Sequence, residues 1–195
     1  MINEQLQKPK IRRKKYKLNE FLEFVKDKED RYELIGGEIY MMAAPMVDHQ
    51  RAIGFIYRKL ADYLDGKPCE PFIASVDVVL FEKNKKNECQ NVFQPDVFVV
   101  CDPKKIAKER IYGAPDFVVE VVSPSNSDHD YVDKLSVYMK CGVKEYWLVN
   151  PMTKQISAYI KEKKKPMQFY TYNFNDSVKI SIFDGFSIDF RELKL

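Results

Sequence analysis

The stretch that decides the fold is APDFVVEVVSPSNSDHDYVDKLSVYMKCGVKEYWLVN, residues 114–150. It reads as strand, turn, helix, strand. Phe117-Val118-Val119-Glu120-Val121-Val122 is an apolar run of the kind a sheet covers on both faces, with one carboxylate embedded in it. Side chains alternate along a strand, so Asp116, Val118, Glu120 and Val122 share a face. The helix over about 128–140 carries Tyr131, Leu135 and Tyr138 at the spacing of a buried stripe, and Lys134 stands inside that stripe. Lysine is almost never fully buried without a partner, because an unpaired ammonium out of water is costly. Glu120 is the natural counter-charge. The alternative is a lysine whose head runs out to solvent along its methylene stem.

A second acid stands at the start of an apolar strand upstream, in Gln94-Pro95-Asp96-Val97-Phe98-Val99-Val100. If the two strands are neighbours, Asp96 and Glu120 converge at one end of a sheet. Two carboxylates and a lysine are the minimal equipment for metal-dependent phosphodiester hydrolysis. The acids offer hard oxygen ligands to Mg²⁺ or Mn²⁺, and the lysine positions the attacking water or steadies developing negative charge. The competing reading is an ordinary buried ion pair joining helix to strand. Pro115-Asp116 repeats the same dipeptide, but Asp116 lies about 13 Å from Glu120 along a strand at ~3.3 Å per residue. Asp96 is therefore the better ligand, and Asp116 marks the start of the strand.

Around this centre the chain reads as an α+β fold. Asn19 caps a short helix to about Lys26, and Tyr32–Ile35 and Glu38–Met42 flank Gly36-Gly37 as a hairpin. Asp48 opens a helix to about Leu64 with Ile53, Ile56, Leu60 and Leu64 inward, and His49 in its first turn is either a site residue or a hydrogen-bonded core histidine. Strands are expected at Phe72–Phe81 and Gln94–Cys101, with residues 83–91 as the loop between them and a loop or short helix over 102–114. Then come the strand at 116–122, the helix at 128–140, stopped by Gly142, and the strand at 144–149. Segments 155–160, 168–174 and 177–182 read as accessory hairpins on the core. Asp77, mid-strand where aspartate is disfavoured, is a candidate third carboxylate for the site, or else faces solvent. Glu38 follows the hairpin glycines and either reaches the cleft or faces water.

Pro95-Asp96, followed by Glu120, a hydrophobic residue and Val122, resembles the PD-(D/E)XK nuclease signature with valine at the lysine position. Several branches of that superfamily carry the lysine on the next helix, where Lys134 stands. Tyr32-Glu33-Leu34-Ile35-Gly36-Gly37-Glu38, Asp48-His49-Gln50, Gln94-Pro95-Asp96, Pro115–Ser125, Asp133-Lys134 and Gly142–Val149 together resemble one family, the Uma-two restriction endonucleases, over roughly residues 18–185. The resemblance implies a restriction-endonuclease-like core of helix, three strands, helix and strand, with an N-terminal hairpin and C-terminal accessory hairpins. It implies an endonuclease that cuts DNA with Mg²⁺ or Mn²⁺. Asp96 and Glu120 would hold the metal, Lys134 would orient the attacking water, and His49 and Asp77 would support them. A homodimer would serve to cut both strands, though no stretch marks an interface. The alternative is the same fold kept as a silent nucleic-acid-binding or protein-interaction scaffold, and a third reading is a nuclease acting on RNA.

Composition sets the remaining bounds. With 195 residues, 45% of them hydrophobic, the chain is expected to form one domain over 18–195 behind a basic arm over 1–17. Net charge is only +3, so basicity is local. Lys8, Lys10, Arg12, Arg13, Lys14, Lys15 and Lys17 crowd the arm, which suits a phosphate backbone but is more often a solvated tail. Cys69, Cys89, Cys101 and Cys141 have no CxxC spacing, so zinc is not expected and the four are expected as reduced thiols. No apolar run approaches ~18 residues and no secretory apolar region opens the sequence, so a cytosolic protein without a membrane partner is expected.

Overall fold

In chain order the elements are α1 (Leu18–Val25), β1 (Tyr32–Ile35), β2 (Glu38–Met41), α2 (Val47–Leu64), β3 (Glu70–Ile73), β4 (Val78–Leu80), β5 (Asn91–Phe93) and β6 (Val97–Val100). They continue as β7 (Ile111–Tyr112), β8 (Phe117–Val121), α3 (Asp128–Cys141), β9 (Glu145–Asn150), β10 (Gln155–Ile160), β11 (Gln168–Asn173), β12 (Ser177–Lys179) and β13 (Ser187–Asp189). The structure, a computed structural model, describes residues 14–81, 91–123, 128–162 and 164–195, and leaves the side chains of 128–131 undescribed. The arm's Lys8 to Arg13, Cys89, Ser125 and the Tyr131 side chain, all singled out in the sequence, lie outside the described residues.

A six-stranded sheet in the order β11-β10-β9-β8-β6-β3 forms the centre. β3, β6 and β8 pair antiparallel, and β8 pairs parallel with β9 across α3. The path α2, β3, β6, β8, α3, β9 is the helix, three strands, helix, strand of a restriction-endonuclease-like core. Alternation on its strands serves two apolar layers. Val97, Val99, Phe117, Val119 and Trp147 face the α2 side, whereas Phe98, Val100, Val118 and Tyr146 meet Tyr138 of α3. Glu120 has the parity of Val118 and so falls on the α3 side. Gly142, at φ 108°, supplies the left-handed turn that ends α3, with its N–H on the Tyr138 carbonyl.

The expected strand over 72–81 is two strands in two sheets. β3 belongs to the central sheet, while β4 joins a second sheet in the order β2-β1-β5-β4-β7. The expected strand over 94–101 starts at Val97 and is preceded by β5, which pairs with β4. Between β3 and β6 the chain therefore crosses between the sheets twice, over residues 74–77 and again over 94–96. Pro95 has no N–H to give a ladder, which explains the second break. Period-2 alternation runs on through such a crossing, so the sequence pattern does not reveal it. Three smaller corrections follow. α1 starts at Leu18 with Glu20 accepting from Lys17 N–H at 2.9 Å, so Asn19 is not its cap. Segments 155–160 and 168–173 extend the central sheet as β10 and β11, leaving only β12–β13 as a separate hairpin. Cys69 and Cys101 form a disulfide, not two free thiols. Glu70 opposes Val100 in the β3–β6 register, so the next pair outward is Cys69 with Cys101. Among the described residues no helix is long and apolar enough to cross a membrane.

Glu145, at the start of β9, is fully buried and fastens the C-terminal segment to the sheet. Its carboxylate accepts from Trp147 Nε1 at 2.8 Å, Ser181 N at 2.7 Å and Ile182 N at 3.2 Å. Burial drives this carboxyl up to about 7 against the three N–H donors, which favour its charged form. Glu145→Ala should destabilise the fold by about 3 kcal/mol in urea unfolding, because buried donors lose their acceptor at ~1–3 kcal/mol each. Glu145→Gln, which keeps one acceptor oxygen, should lose less.

Candidate active site

A cleft opens where the two sheets meet, walled by β1, the segment after β2 and the start of α2. Its lining includes Arg31, Glu33, Tyr40, Met41, His49, Asp96, Glu120, Ser123 and Lys134. The acids reach it through strand register. Val97 opposes Val119 in the β6–β8 ladder, and one step further Asp96 faces Glu120 at the end of the sheet. Asp96 is held there because its Oδ2 accepts the Val121 N–H at 2.8 Å, completing the ladder where the Pro95 corner has ended β6. His49 Nε2 sits 3.3 Å from the same oxygen. Among the described residues, nothing donates a hydrogen bond to Asp96 Oδ1 or to Glu120 Oε2.

Lys134 is inside, as its place in the stripe requires. Only 4% of it is exposed, and its Nζ lies 2.8 Å from Glu33 Oε2 and 3.3 Å from Glu120 Oε1. Tyr138, one turn on, donates its hydroxyl to Glu120 Oε1 at 2.8 Å. Phe93 of β5 covers the ammonium, with its ring centroid 5.6 Å from Nζ. Glu33 is fixed in turn by the Gln94 N–H at 2.9 Å. Two carboxylates thus share one ammonium. Burial is the main cause that raises the Glu120 carboxyl to about 7; Lys134 opposes it, and the charges of Asp96 and Glu33 add to it. Burial opposes the charge on Lys134, but Glu120 and Glu33 outweigh it and hold the ammonium well above its ordinary value. For His49 too, burial is outweighed by the hydrogen bond and charge of Asp96, and its value is raised.

The structure gathers Asp96, Glu120, Lys134 and His49 in one cleft and leaves other sequence candidates outside it. Asp77 does not line the cleft: its carboxylate accepts from Gln94 Nε2 at 2.9 Å and from Arg110 Nε at 3.3 Å, behind the wall. Glu38 pairs with Lys15 at 2.9 Å on the hairpin. Asp116 accepts from Cys101 N at 2.8 Å and pairs with Lys144 at 2.6 Å, as a strand-starting residue. Glu33, Arg31 and Gln94 received no role in the sequence reading. Glu33 left a signal there: alternation in Tyr32–Ile35 puts it on the face of Ile35, a buried position that disfavours a lone carboxylate.

Among the described residues no three His, Cys, Asp or Glu side chains are grouped for a metal ion. The donors available are two carboxylates with an oxygen each to spare. That set fits Mg²⁺, which keeps several waters and binds through one or two carboxylates. It also fits the electrostatics, since a cation would offset the charges of Asp96 and Glu33 that add to the effect of burial on Glu120.

Residues 18–191 match the model of the Uma2 family, described as "Putative restriction endonuclease". The chain belongs to the Uma2 family. Another relative, slr1290 of Synechocystis sp. (strain ATCC 27184 / PCC 6803 / Kazusa), is 28% identical over 172 residues, spanning 87% of each chain. The fold of this Uma2 chain is shared by a "putative nuclease belonging to DUF820" from Anabaena variabilis ATCC 29413, at a TM-score of 0.73 and 17% identity. The match covers 91% of this chain and 96% of that one.

Two outcomes are expected of the cleft itself. Lys134→Met should destabilise the protein by about 3–5 kcal/mol, because it leaves two buried carboxylates without their ammonium. Adding Glu33→Gln should recover part of that loss in the same urea titration. Glu120 titrates at about 7 in the fold against an ordinary 4.5. Its contribution to stability is complete below 4.5 and is lost as pH rises through 7. In metal-free buffer the melting temperature of Glu120→Gln should therefore fall less steeply than that of wild type across that window.

Proposed function

We propose that this protein is a metal-dependent nuclease that hydrolyses phosphodiester bonds in DNA. The observation that carries the reading is the cross-strand pair of Asp96 and Glu120 with the Lys134 ammonium 3.3 Å from Glu120, all lining one cleft. The family description and the structural neighbour point the same way. Mg²⁺ or Mn²⁺ held by Asp96 and Glu120 would supply Lewis acidity and a water of lowered pKa. The chain's own residues do the rest. His49 and the Val121 N–H hold one oxygen of Asp96 and leave the other for the metal. Tyr138 and Lys134 hold one oxygen of Glu120 and leave its partner. Lys134 keeps a positive charge beside the place where the attacking water must lie, and Glu33 keeps Lys134 there. Asp77 acts at a remove, through Gln94.

One observation favours a silent scaffold. Lys134 is fully engaged by Glu33 and Glu120, as in a purely structural ion pair. Activity separates the two readings. With Mn²⁺ the purified protein should nick plasmid DNA, and Glu120→Gln should slow this by about 10²–10³, the scale of losing one preorganised electrostatic contact in a transition state. Mn²⁺ should also raise the melting temperature of wild type and not that of Asp96→Asn, since only the folded site binds the ion. No cleavage by wild type, together with equal melting shifts in both proteins, would establish the scaffold.

A further inference from the structure

Arg31 is the one cation on the cleft wall, among the described residues, that no carboxylate claims. Its Nε donates to Gln94 Oε1 at 2.8 Å, and Gln94 is braced from behind by Asp77 at 2.9 Å. Its Nη2 is buried with no hydrogen-bond partner, although Glu33, Asp96 and Glu120 line the same cleft. A buried donor without an acceptor is costly. A guanidinium anchored through Nε and paired with no carboxylate brings to the cleft wall a fixed positive charge that suits a phosphate. Lys134, the other cation on the lining, is already held by two acids. On the rim, Arg51 is tied to Asp48 at 2.9 Å.

The rim also carries exposed apolar and aromatic side chains beside Gln50 and Ser123. Tyr40 and Met41, 36% and 66% exposed, end the hairpin; Met46 and Val47 start α2 beside it, and Ile73 closes the far side. The acids lie at the bottom, with 8% of Asp96 and 4% of Glu120 exposed. The cavity holds about 200 Å³. That is less than the ~300–1,000 Å³ of a pocket for a drug-sized ligand, and too little for two paired strands. Duplex binding rests on many Lys and Arg contacts to phosphates. Unpaired strands are bound by stacking bases on aromatic and apolar side chains along a few cationic contacts. The cleft has the second make-up.

We infer that the cleft takes a single unpaired nucleic-acid strand, with one backbone phosphate on Arg31 and a base against the Tyr40–Met41 rim. The inference rests on the nuclease reading and narrows its substrate to frayed, flapped or single-stranded regions. Asp77 and Gln94 are then positioning residues for Arg31.

The test is fluorescence anisotropy in Ca²⁺, which takes the same oxygen ligands as Mg²⁺. The probe is a fluorescein-labelled oligothymidylate of roughly 15 nucleotides, alone or annealed to oligodeoxyadenylate. The single strand should bind about tenfold or more tightly than the duplex, and Tyr40→Ala should weaken it by about tenfold, the order of one stacked base. Arg31→Ala should lower the slope of log affinity against log salt by ~0.7, the share of one phosphate contact on a single strand. Met41→Asp changes an exposed side chain and leaves the core intact, so its loss of single-strand affinity cannot be ascribed to unfolding. Equal or tighter duplex binding overturns the inference. So does a Met41→Asp variant of unchanged affinity whose mass in light scattering is halved, since the rim would then cover a second copy of the chain. The same oligonucleotides in Mn²⁺ separate this inference from the nuclease reading. Cleavage of duplex but not single strand defeats the strand preference alone, whereas cleavage of neither defeats the nuclease reading while the anisotropy still decides the preference.

Discussion

The ammonium of Lys134 is what the rest of the molecule is arranged around. It comes from α3, and its two partners come from different sheets: Glu33 from the sheet built on the hairpin, Glu120 from the central one. Three layers therefore meet on one charge. Each carboxylate would be expensive to bury alone, and so would the ammonium. Together they are tolerable, and Tyr138 and the Gln94 N–H each add a hydrogen bond to one of the two acids. One acid too many remains. Asp96 stands beside Glu120 without a lysine of its own and has His49 as its neighbour instead.

The double crossing between sheets explains how a small chain places these groups. At the Pro95 corner the backbone leaves one sheet for the other, and on the way it delivers three contacts. The Gln94 N–H goes to Glu33, the Gln94 side chain to Arg31, and the Asp96 carboxylate to the Val121 N–H. A continuous strand there would have spent the Gln94 N–H on its ladder.

Much of this was legible in the sequence, for identifiable reasons. A carboxylate in the middle of an apolar strand and a lysine in an apolar stripe each break a strong rule, and each rule-breaker proved to be the other's partner. Asp96 could be read because it begins an apolar run after proline. Glu33 escaped because YELI is short, and a hairpin glutamate more often faces water. Arg31 and Gln94 escaped because nothing in a linear pattern tells which polar residues of a loop point inward. The split of 72–81 and the Cys69–Cys101 pairing escaped for one shared reason: both follow from which strand lies next to which, and alternation carries no information about neighbours. Asp77 shows the converse. It was expected mid-strand, but it lies in the crossing before β4, and its ion-pair partner is Arg110 rather than the cleft.

The contact between Lys134 and Glu33 joins residues 101 positions apart. Closing so long a loop costs entropy before any contact rewards it, and contacts between distant parts of a chain are slow to form. The α3–β8 half of the cleft can assemble locally, whereas the wall bearing Glu33 and Arg31 must be brought in from the other end of the fold. Order of assembly thus acts as a safeguard. A partly folded chain exposes two acids and a lysine without their wall, and the complete cleft arrives only with the finished tertiary structure.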